Sequence, residues 1–143
     1  MENYYTELSQ RFLAETVLGN DTASLRRELF YIKLSSLERK LDTDDLKKEF
    51  WINIYNAFFI IIQNEPKPKG SFLKYKRIKI ANNLFSLNDI ELGILRKQKF
   101  NIGFLNLTNP FSTKLISRLS VSTTDTSIAL KLNKNNAIAN GLA

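Results

Sequence analysis

One long segment with helical periodicity, residues 44–64, constrains this chain more than any other feature of its sequence. It reads DDLKKEFWINIYNAFFIIIQN and ends just before Pro66, which cannot continue a helix. At 3.6 residues per turn, apolar side chains cover nearly the whole circumference, and a helix of that kind is buried. We therefore predict a central helix around which the other segments pack. Thr43 is its expected N-cap, with Asp44 and Asp45 in the first turn.

Two asparagines, Asn53 and Asn56, lie on a narrow polar stripe of this helix with Glu49 and Gln63. Asparagine is a poor helix former because its side chain competes for backbone hydrogen bonds, and a merely wet stripe would more naturally use Lys or Glu. We interpret both asparagines as partly buried hydrogen-bonding residues that fix how other segments dock on the helix. A solvent-facing stripe and a functional site remain as alternatives.

Shorter periodic segments precede the central helix. Apolar residues at helical spacing predict a helix over 3–18, and a second over 22–32 that Asp21 caps. A third short helix is expected to start at Ser35 or Ser36 and to run through Lys40. The first half of the chain is therefore predicted to be helical.

The second half is predicted to mix a hairpin with further elements. PKPKG at 66–70 predicts a linker, because two prolines and a glycine disfavour regular structure. Alternation over 75–80, the turn residues ANN at 81–83 and LFS at 84–86 predict a small β-hairpin. Ser86 and Asp89 match a capping box. The elements expected after the hairpin are a helix over 87–97, a helix over 111–118, a short strand over 126–132 and a frayed tail over 134–143.

These elements predict an α+β fold in one domain over 1–143, with a helical first half, then a hairpin, a further helix and a short C-terminal strand. The start of the chain has no signal-peptide pattern, and its longest apolar run is too short to span a bilayer. A cytoplasmic protein without a membrane span is therefore expected.

The composition excludes whole classes of chemistry. The sequence contains no Cys and no His. Disulfides and thiolate nucleophiles are therefore excluded, and the usual zinc ligand sets lack their sulfur and nitrogen donors. Histidine is also absent as the acid or base that titrates nearest neutral pH. We expect neither a metal nor a cofactor.

Basic residues concentrate in the second half of the chain. Residues 1–65 carry a net charge of −3 and residues 66–143 a net charge of +10. The segment 67–79, KPKGSFLKYKRIK, combines six cations with Phe72 and Tyr75, a composition that can neutralise phosphates and stack bases. The alternative is a solvated hairpin whose lysines prevent sheet-edge aggregation. The cations of this predicted patch are Lys67, Lys69, Lys74, Lys76, Arg77 and Lys79, with Lys97 and Lys99 as an extension.

Two motifs resemble a known family. FWINIYNAFF at 50–59 resembles the phenylalanine-tryptophan-x-asparagine-x-tyrosine-asparagine signature of the domain of unknown function 547 family of bacteria and plants. RIKIANNLFSLNDIELGILR at 77–96 is similar to the family's hairpin and the helix that follows it. With KFNIGFLNLTNPF at 99–111, the resemblance covers residues 20 to 133. It implies a structural or binding role for seven motif residues, which are Trp51, Asn53, Tyr55, Asn56, Glu91, Gly93 and Arg96.

The chain departs from the family pattern where chemistry would be expected. By the resemblance, Leu92 and Ala129 stand where members have histidine, and Lys134 stands where they have cysteine. Members also continue with a cysteine-proline segment, whereas ten residues follow Asn133 here. The resemblance therefore implies a non-catalytic and truncated relative.

Asp89 and Glu91 are the remaining pair of neighbouring carboxylates. Two residues apart on a helix, they diverge by about 200°, so they do not form a converging acid/base pair. Asp89 is explained as a charge at a helix start. We expect Glu91 to pair with Arg96 or to reach the asparagines of the long helix.

Three hypotheses follow for function. The first is a non-catalytic binding or scaffolding domain with an unidentified protein partner. The second is a binder of nucleic acid or another polyanion through the predicted patch, and the sequence favours it less than the first. The third, ranked last, is an enzyme that uses Glu91, Asn53 and Asn56.

Overall fold

The computed structural model describes residues 3–66, 70–96, 110–123, 125 and 127–133. The predictions for Lys67, Lys69, Lys97, Lys99, Lys134 and the tail after Asn133 lie outside these residues. The described elements are α1 (Tyr4–Val17), α2 (Ala23–Phe30), α3 (Leu34–Lys40), α4 (Asp44–Gln63), a 3₁₀ helix (Phe72–Lys74), β1 (Ile78–Ile80), β2 (Asn83–Phe85), a π-helix (Asp89–Leu95), α5 (Pro110–Leu119) and α6 (Ile128–Lys131). The predicted α+β class is confirmed.

Helix α4 is the centre of the fold, as predicted. Its aromatic residues Phe50, Trp51 and Tyr55 are fully buried. Helix α1 packs along it, with the rings of Phe12 and Phe58 edge to face at 5.1 Å between centroids. Thr43 caps its start, since the Thr43 Oγ1 accepts a hydrogen bond from the Leu46 N–H at 3.2 Å. Within the described residues, no helix is long and apolar enough to cross a membrane.

The starts of α2 and α3 differ slightly from prediction. Thr22 occupies the N-cap position of α2. Asp21, one residue before it, accepts a hydrogen bond from the Ala23 N–H at 2.9 Å. Helix α3 begins at Leu34, just before the predicted serines. Helix ends are the least determined part of a sequence pattern because capping geometry depends on the approaching loop.

The predicted hairpin is present and is fixed to the end of α2. Strands β1 and β2 pair antiparallel, with Ile78 opposite Phe85. The turn places Ala81 and Asn82 at φ values of 52° and 61°, the left-handed region that two-residue hairpin turns require. Their N–H groups donate to the backbone oxygens of Leu29 (3.0 Å) and Phe30 (2.7 Å). These bonds satisfy carbonyls that a helix end leaves unpaired, so the turn docks the hairpin against α2.

The predicted capping box opens the next helix. The Asp89 N–H donates to the Ser86 Oγ at 3.0 Å, and the Ser86 N–H donates to the Asp89 carboxylate at 2.8 Å. The segment then forms a π-helix from Asp89 to Leu95 instead of the predicted α-helix over 87–97. Its wider turn is marked by the bond from the Arg96 N–H to the Glu91 carbonyl at 2.9 Å, five residues apart.

The predicted strand over 126–132 is wrong, because residues 128–131 form the short helix α6. Ile128 and Leu132 are fully buried, whereas Leu130 is 76% exposed. The buried pair is therefore four residues apart, which is helical spacing. In a run as short as SIALKL, alternation and helical periodicity cannot be separated from the sequence. The helix predicted over 111–118 is confirmed as α5.

The start of α4 also holds the segment between α5 and α6. The Asp44 carboxylate accepts hydrogen bonds from the N–H groups of Ser122 (2.7 Å) and Thr123 (3.0 Å). These bonds, above all the one from Ser122, lower the pKa of Asp44. The side chain and N–H of Ser127 hold the pKa of Asp125 at about 2, with a smaller contribution from Lys48 at 3.4 Å.

These two carboxylates predict a loss of stability in acid. An unfolded Asp titrates near pH 3.9, above the lowered folded values, so the folded state binds fewer protons. Their stabilisation is complete above about pH 4 and is lost as the pH falls towards 2. We expect the decrease in urea midpoint from pH 5 to pH 2.5 to be smaller in Asp44→Asn and Asp125→Asn than in the unchanged protein.

Asp45→Asn is the matched control, because this exposed carboxylate lies in the same helical turn as Asp44. It should leave the acid-induced decrease almost unchanged. An equal decrease in all four proteins would contradict the assignment.

Candidate functional site

Asn56 joins the central helix to the C-terminal end of the described chain. It is only 8% exposed. Its Oδ1 accepts a hydrogen bond from the Asn133 N–H at 2.7 Å, and its Nδ2 donates to the Lys131 carbonyl at 3.0 Å. The Asn133 side chain in turn donates to the backbone oxygen of Asn56 at 3.1 Å. Both ends of the Asn56 amide are therefore engaged in docking the segment around α6.

Asn53 makes the corresponding contact with the first helix. Its Nδ2 donates to the Ser9 Oγ at 3.1 Å, and that hydroxyl donates to the Thr6 carbonyl at 2.7 Å. The two asparagines thus bond to opposite ends of the described chain. These are the hydrogen bonds expected of residues that dock other segments on the helix.

Trp51 and Tyr55 are core residues. The Trp51 ring lies edge to face with Phe85 at 5.4 Å, and the Tyr55 ring stacks on Phe59 at 6.2 Å. Among the described residues, neither the Trp51 Nε1–H nor the Tyr55 hydroxyl has a hydrogen-bond partner. Burial raises the pKa of Tyr55, and the nearby Glu91 charge raises it further. Tyr55 is therefore neutral at ordinary pH.

Glu91 is buried in the π-helix and pairs with Arg96, whose Nη1 lies 3.5 Å from its Oε2. This is one of the two pairings expected from the sequence. Asp89 has different partners, since it accepts from the Ser86 N–H and pairs with Lys76. The two carboxylates face separate cations and do not share a site.

Gly93 is required by the packing of the π-helix against α5. A Cβ at this position would lie 2.6 Å from the Ile116 Cγ2, well inside van der Waals contact. Gly93 and Ile116 are both buried. The motif glycine therefore has a packing role in the described structure.

A concave basic surface lies between α2 and the hairpin, and we call it the groove. Its volume is about 580 Å³, within the usual range of ligand sites. The lining also includes the aromatic side chains of Phe30, Tyr31, Phe58 and Tyr75. None of the described residues that line it is acidic. The cations in its lining are Arg26, Arg27, Lys76, Arg77 and Lys79.

The groove cations differ in how they are paired. Arg77 forms a two-pronged ion pair with Glu65, at 3.2 and 2.8 Å, and Lys76 pairs with Asp89. Within the described chain, Arg27 and Lys79 have no carboxylate partner. Both are exposed, and the Lys79 Nζ lies 5.9 Å from the centre of the Phe30 ring. These two cations are the most available to an anionic ligand.

The predicted patch coincides with the groove only in part. Lys76, Arg77 and Lys79 line it, whereas Lys74, at the end of a short 3₁₀ turn, does not. Phe72 is also not available for stacking in the way the sequence suggested. Its ring packs edge to face against Phe59 at 5.8 Å, on the core.

Sequence reasoning missed the α2 wall of the groove. Arg26 and Arg27 are a doublet just before the aromatic pair Phe30 and Tyr31, and this pattern was visible in the sequence. It stands about fifty residues from the basic hairpin segment. Only the docking of the hairpin turn on the end of α2 brings the two together.

A family model described as "Protein of unknown function, DUF547" matches residues 39–140. The matched range begins and ends later than the predicted 20 to 133. It includes α4, the hairpin and the π-helix, and it starts after α2. No curated protein and no solved structure matches the chain.

The hydrogen bonds of the Asn56 amide predict that its replacement by aspartate, which has the same shape but carries a charge, destabilises the protein. Asn56→Asp keeps the acceptor for the Asn133 N–H but sets a carboxylate against the Lys131 carbonyl. We expect it to lower the free energy of unfolding by about 2–3 kcal/mol, because a buried acceptor then faces another acceptor. Urea denaturation measures this loss.

Asn53→Asp is the matched control, because its partner is a hydroxyl that can turn from the Thr6 carbonyl to donate to a carboxylate, so one hydrogen bond replaces another. A loss below about 1 kcal/mol is expected. Equal losses at the two positions would show that the Asn56 hydrogen bonds are not what docks the α6 segment.

The clash at Gly93 predicts coupling between the π-helix and α5. Gly93→Ala should cost about 1–3 kcal/mol, as overpacking does, although alanine favours helix. Ile116→Leu removes the β-branch that the new methyl would meet, so it should reduce that cost in a double-mutant cycle. Additive effects would mean that contact with the Ile116 side chain is not the cause of the stability lost in Gly93→Ala.

Proposed function

We propose that this chain, which belongs to the DUF547 family of proteins of unknown function, is a non-catalytic binding domain whose groove holds a polyanion. The observation that carries the proposal is the groove itself. Five cations, from α2 and from the segment 76–79 that leads into β1, line one concave surface, and no described residue in the lining is acidic. Of the hypotheses raised by the sequence, this geometry favours the second.

The electrostatics of the groove support a ligand with several negative charges. Glu65 and Asp89 balance Arg77 and Lys76 from outside the lining, which leaves Arg26, Arg27 and Lys79 in excess. Like charges held together on a concave surface repel each other and attract counterions. A polyanion relieves this repulsion at several points at once and releases the bound counterions.

The absence of a catalytic role is part of the same proposal. The chain contains neither Cys nor His. The residues of the third hypothesis have other partners, since Asn53 and Asn56 bond to other segments and Glu91 pairs with Arg96. The scaffolding role, truncation and cytoplasmic location expected from the sequence stay predictions.

The proposal predicts salt-dependent binding of inorganic polyphosphate. Affinity should fall linearly with salt concentration on logarithmic axes, because binding releases counterions. The double variant Arg27→Gln/Lys79→Gln should weaken binding about tenfold at low salt and reduce the slope by about 1 per lost phosphate contact. Isothermal titration at several salt concentrations measures both quantities.

Arg39→Gln/Lys40→Gln is the control, because it removes the same charge from two exposed residues of α3 outside the groove lining. Its slope should match that of the unchanged protein. Equal weakening by both double variants would leave net charge, not the groove, as the cause of binding. No binding at low salt would refute the proposed function.

A further inference from the structure

We infer that the polyanion is single-stranded nucleic acid, whose bases stack on Tyr31 and Tyr75 while its phosphates meet the groove cations. The inference rests on the proposed function and specifies its ligand. It starts from the observation that the groove lining contains aromatic side chains as well as cations. Two tyrosines face the same space, and a bare polyanion would have no use for them.

Both tyrosines are exposed to solvent. Tyr31 is 67% exposed and Tyr75 is 39% exposed. The Phe30 ring packs edge to face against Tyr31 at 5.1 Å, which gives the exposed ring a neighbour that fixes its orientation. An exposed aromatic ring with a fixed orientation loses little conformational entropy when a flat ligand covers its face.

Each wall of the groove pairs one exposed tyrosine with one cation that lacks a carboxylate partner in the described chain. On the α2 side, Tyr31 is the residue that follows the helix, and its N–H donates to the Arg27 carbonyl at 3.2 Å, so Tyr31 lies one helical turn beyond Arg27. On the hairpin side, Tyr75 and Lys79 line the opposite wall. A positively charged groove that also presents aromatic faces is how proteins hold single strands without reading their sequence.

This arrangement favours a single strand over the other phosphate-bearing polymers. In a duplex the base faces are already stacked on each other, so only phosphates and groove edges are available to a protein. In a single strand the faces are free to stack on aromatic side chains. Inorganic polyphosphate has no faces to stack.

The α2 wall lies outside the range matched by the family model, which starts at residue 39. Arg27 and Tyr31 are therefore features of this chain that the family match does not itself imply. The hairpin wall, with Tyr75 and Lys79, lies inside the matched range. The full set of two tyrosines and two cations thus depends on how α2 packs beside the hairpin in this protein.

The test compares three probes on the full chain by fluorescence anisotropy, with unlabelled competitors. They are a labelled oligothymidylate of about 12 nucleotides, the corresponding duplex, and polyphosphate with the same number of phosphates. The single strand should bind most tightly. Tyr31→Ala and Tyr75→Ala should each raise its dissociation constant about 5- to 150-fold and leave polyphosphate binding within about twofold.

Two sets of variants separate stacking from loss of fold. Tyr31→Phe and Tyr75→Phe keep the ring face and should retain single-strand affinity within about twofold. Tyr4→Ala removes a tyrosine that is 56% exposed and does not line the groove, so it should leave the single-strand affinity unchanged. Circular dichroism monitors the fold of each variant. If an alanine variant unfolds, the preference of the unchanged protein for single strand over duplex decides.

The outcomes distinguish the inference from the proposed function. If polyphosphate or duplex binds as tightly as the single strand, and the tyrosine variants change neither, the inference is wrong and polyanion binding stands. If none of the three probes binds at low salt, both are wrong. A preference for the single strand that is lost in the alanine variants and kept in the phenylalanine variants supports both.

Discussion

The burial of α4 on nearly all sides is the constraint on which the rest of the structure depends. A helix that is apolar almost all round must be covered by several other elements, and the chain supplies α1, the π-helix and the segment around α6 for this purpose. Hydrophobic contact alone does not fix how such covers are placed. The two asparagines add directional contacts, since Asn53 bonds to α1 through Ser9, and Asn56 bonds to the backbone at Lys131 and Asn133.

A second constraint, the backbone of the hairpin turn, decides where the basic residues of the protein meet. The N–H groups of Ala81 and Asn82 bond to the last carbonyls of α2, which sets the hairpin beside that helix. Cations on the two sides then line one groove, and none of the described residues in its lining carries a negative charge. Like charges held beside each other repel, and the proposed polyanion would relieve that repulsion. The groove on which the proposed function rests therefore depends on the hydrogen bonds between the hairpin turn and the end of α2.

The local features of the fold were predictable because they depend on residues close in sequence. The Thr43 cap, the Ser86 and Asp89 capping box, and the hairpin between residues 78 and 85 all form as the patterns indicated. The strand predicted over 126–132 was wrong because this short segment, TSIALKL, fits both the alternating and the helical periodicity. In the folded protein, Asn56 lies more than seventy residues away in sequence and bonds to the Lys131 carbonyl and the Asn133 N–H at the end of this helix.

The sequence by itself determined the central helix, the chemistry excluded by the lack of Cys and His, and the basic character of the hairpin segment. All three depend on which residues are present and on their local spacing. Only the tertiary structure decided that Phe72 faces the core while Tyr75 lines a groove, and that Arg26 and Arg27 share this groove with Lys79. The physical reason is that a side chain's surroundings are fixed by the elements packed beside it, and local spacing carries no record of which distant element that is.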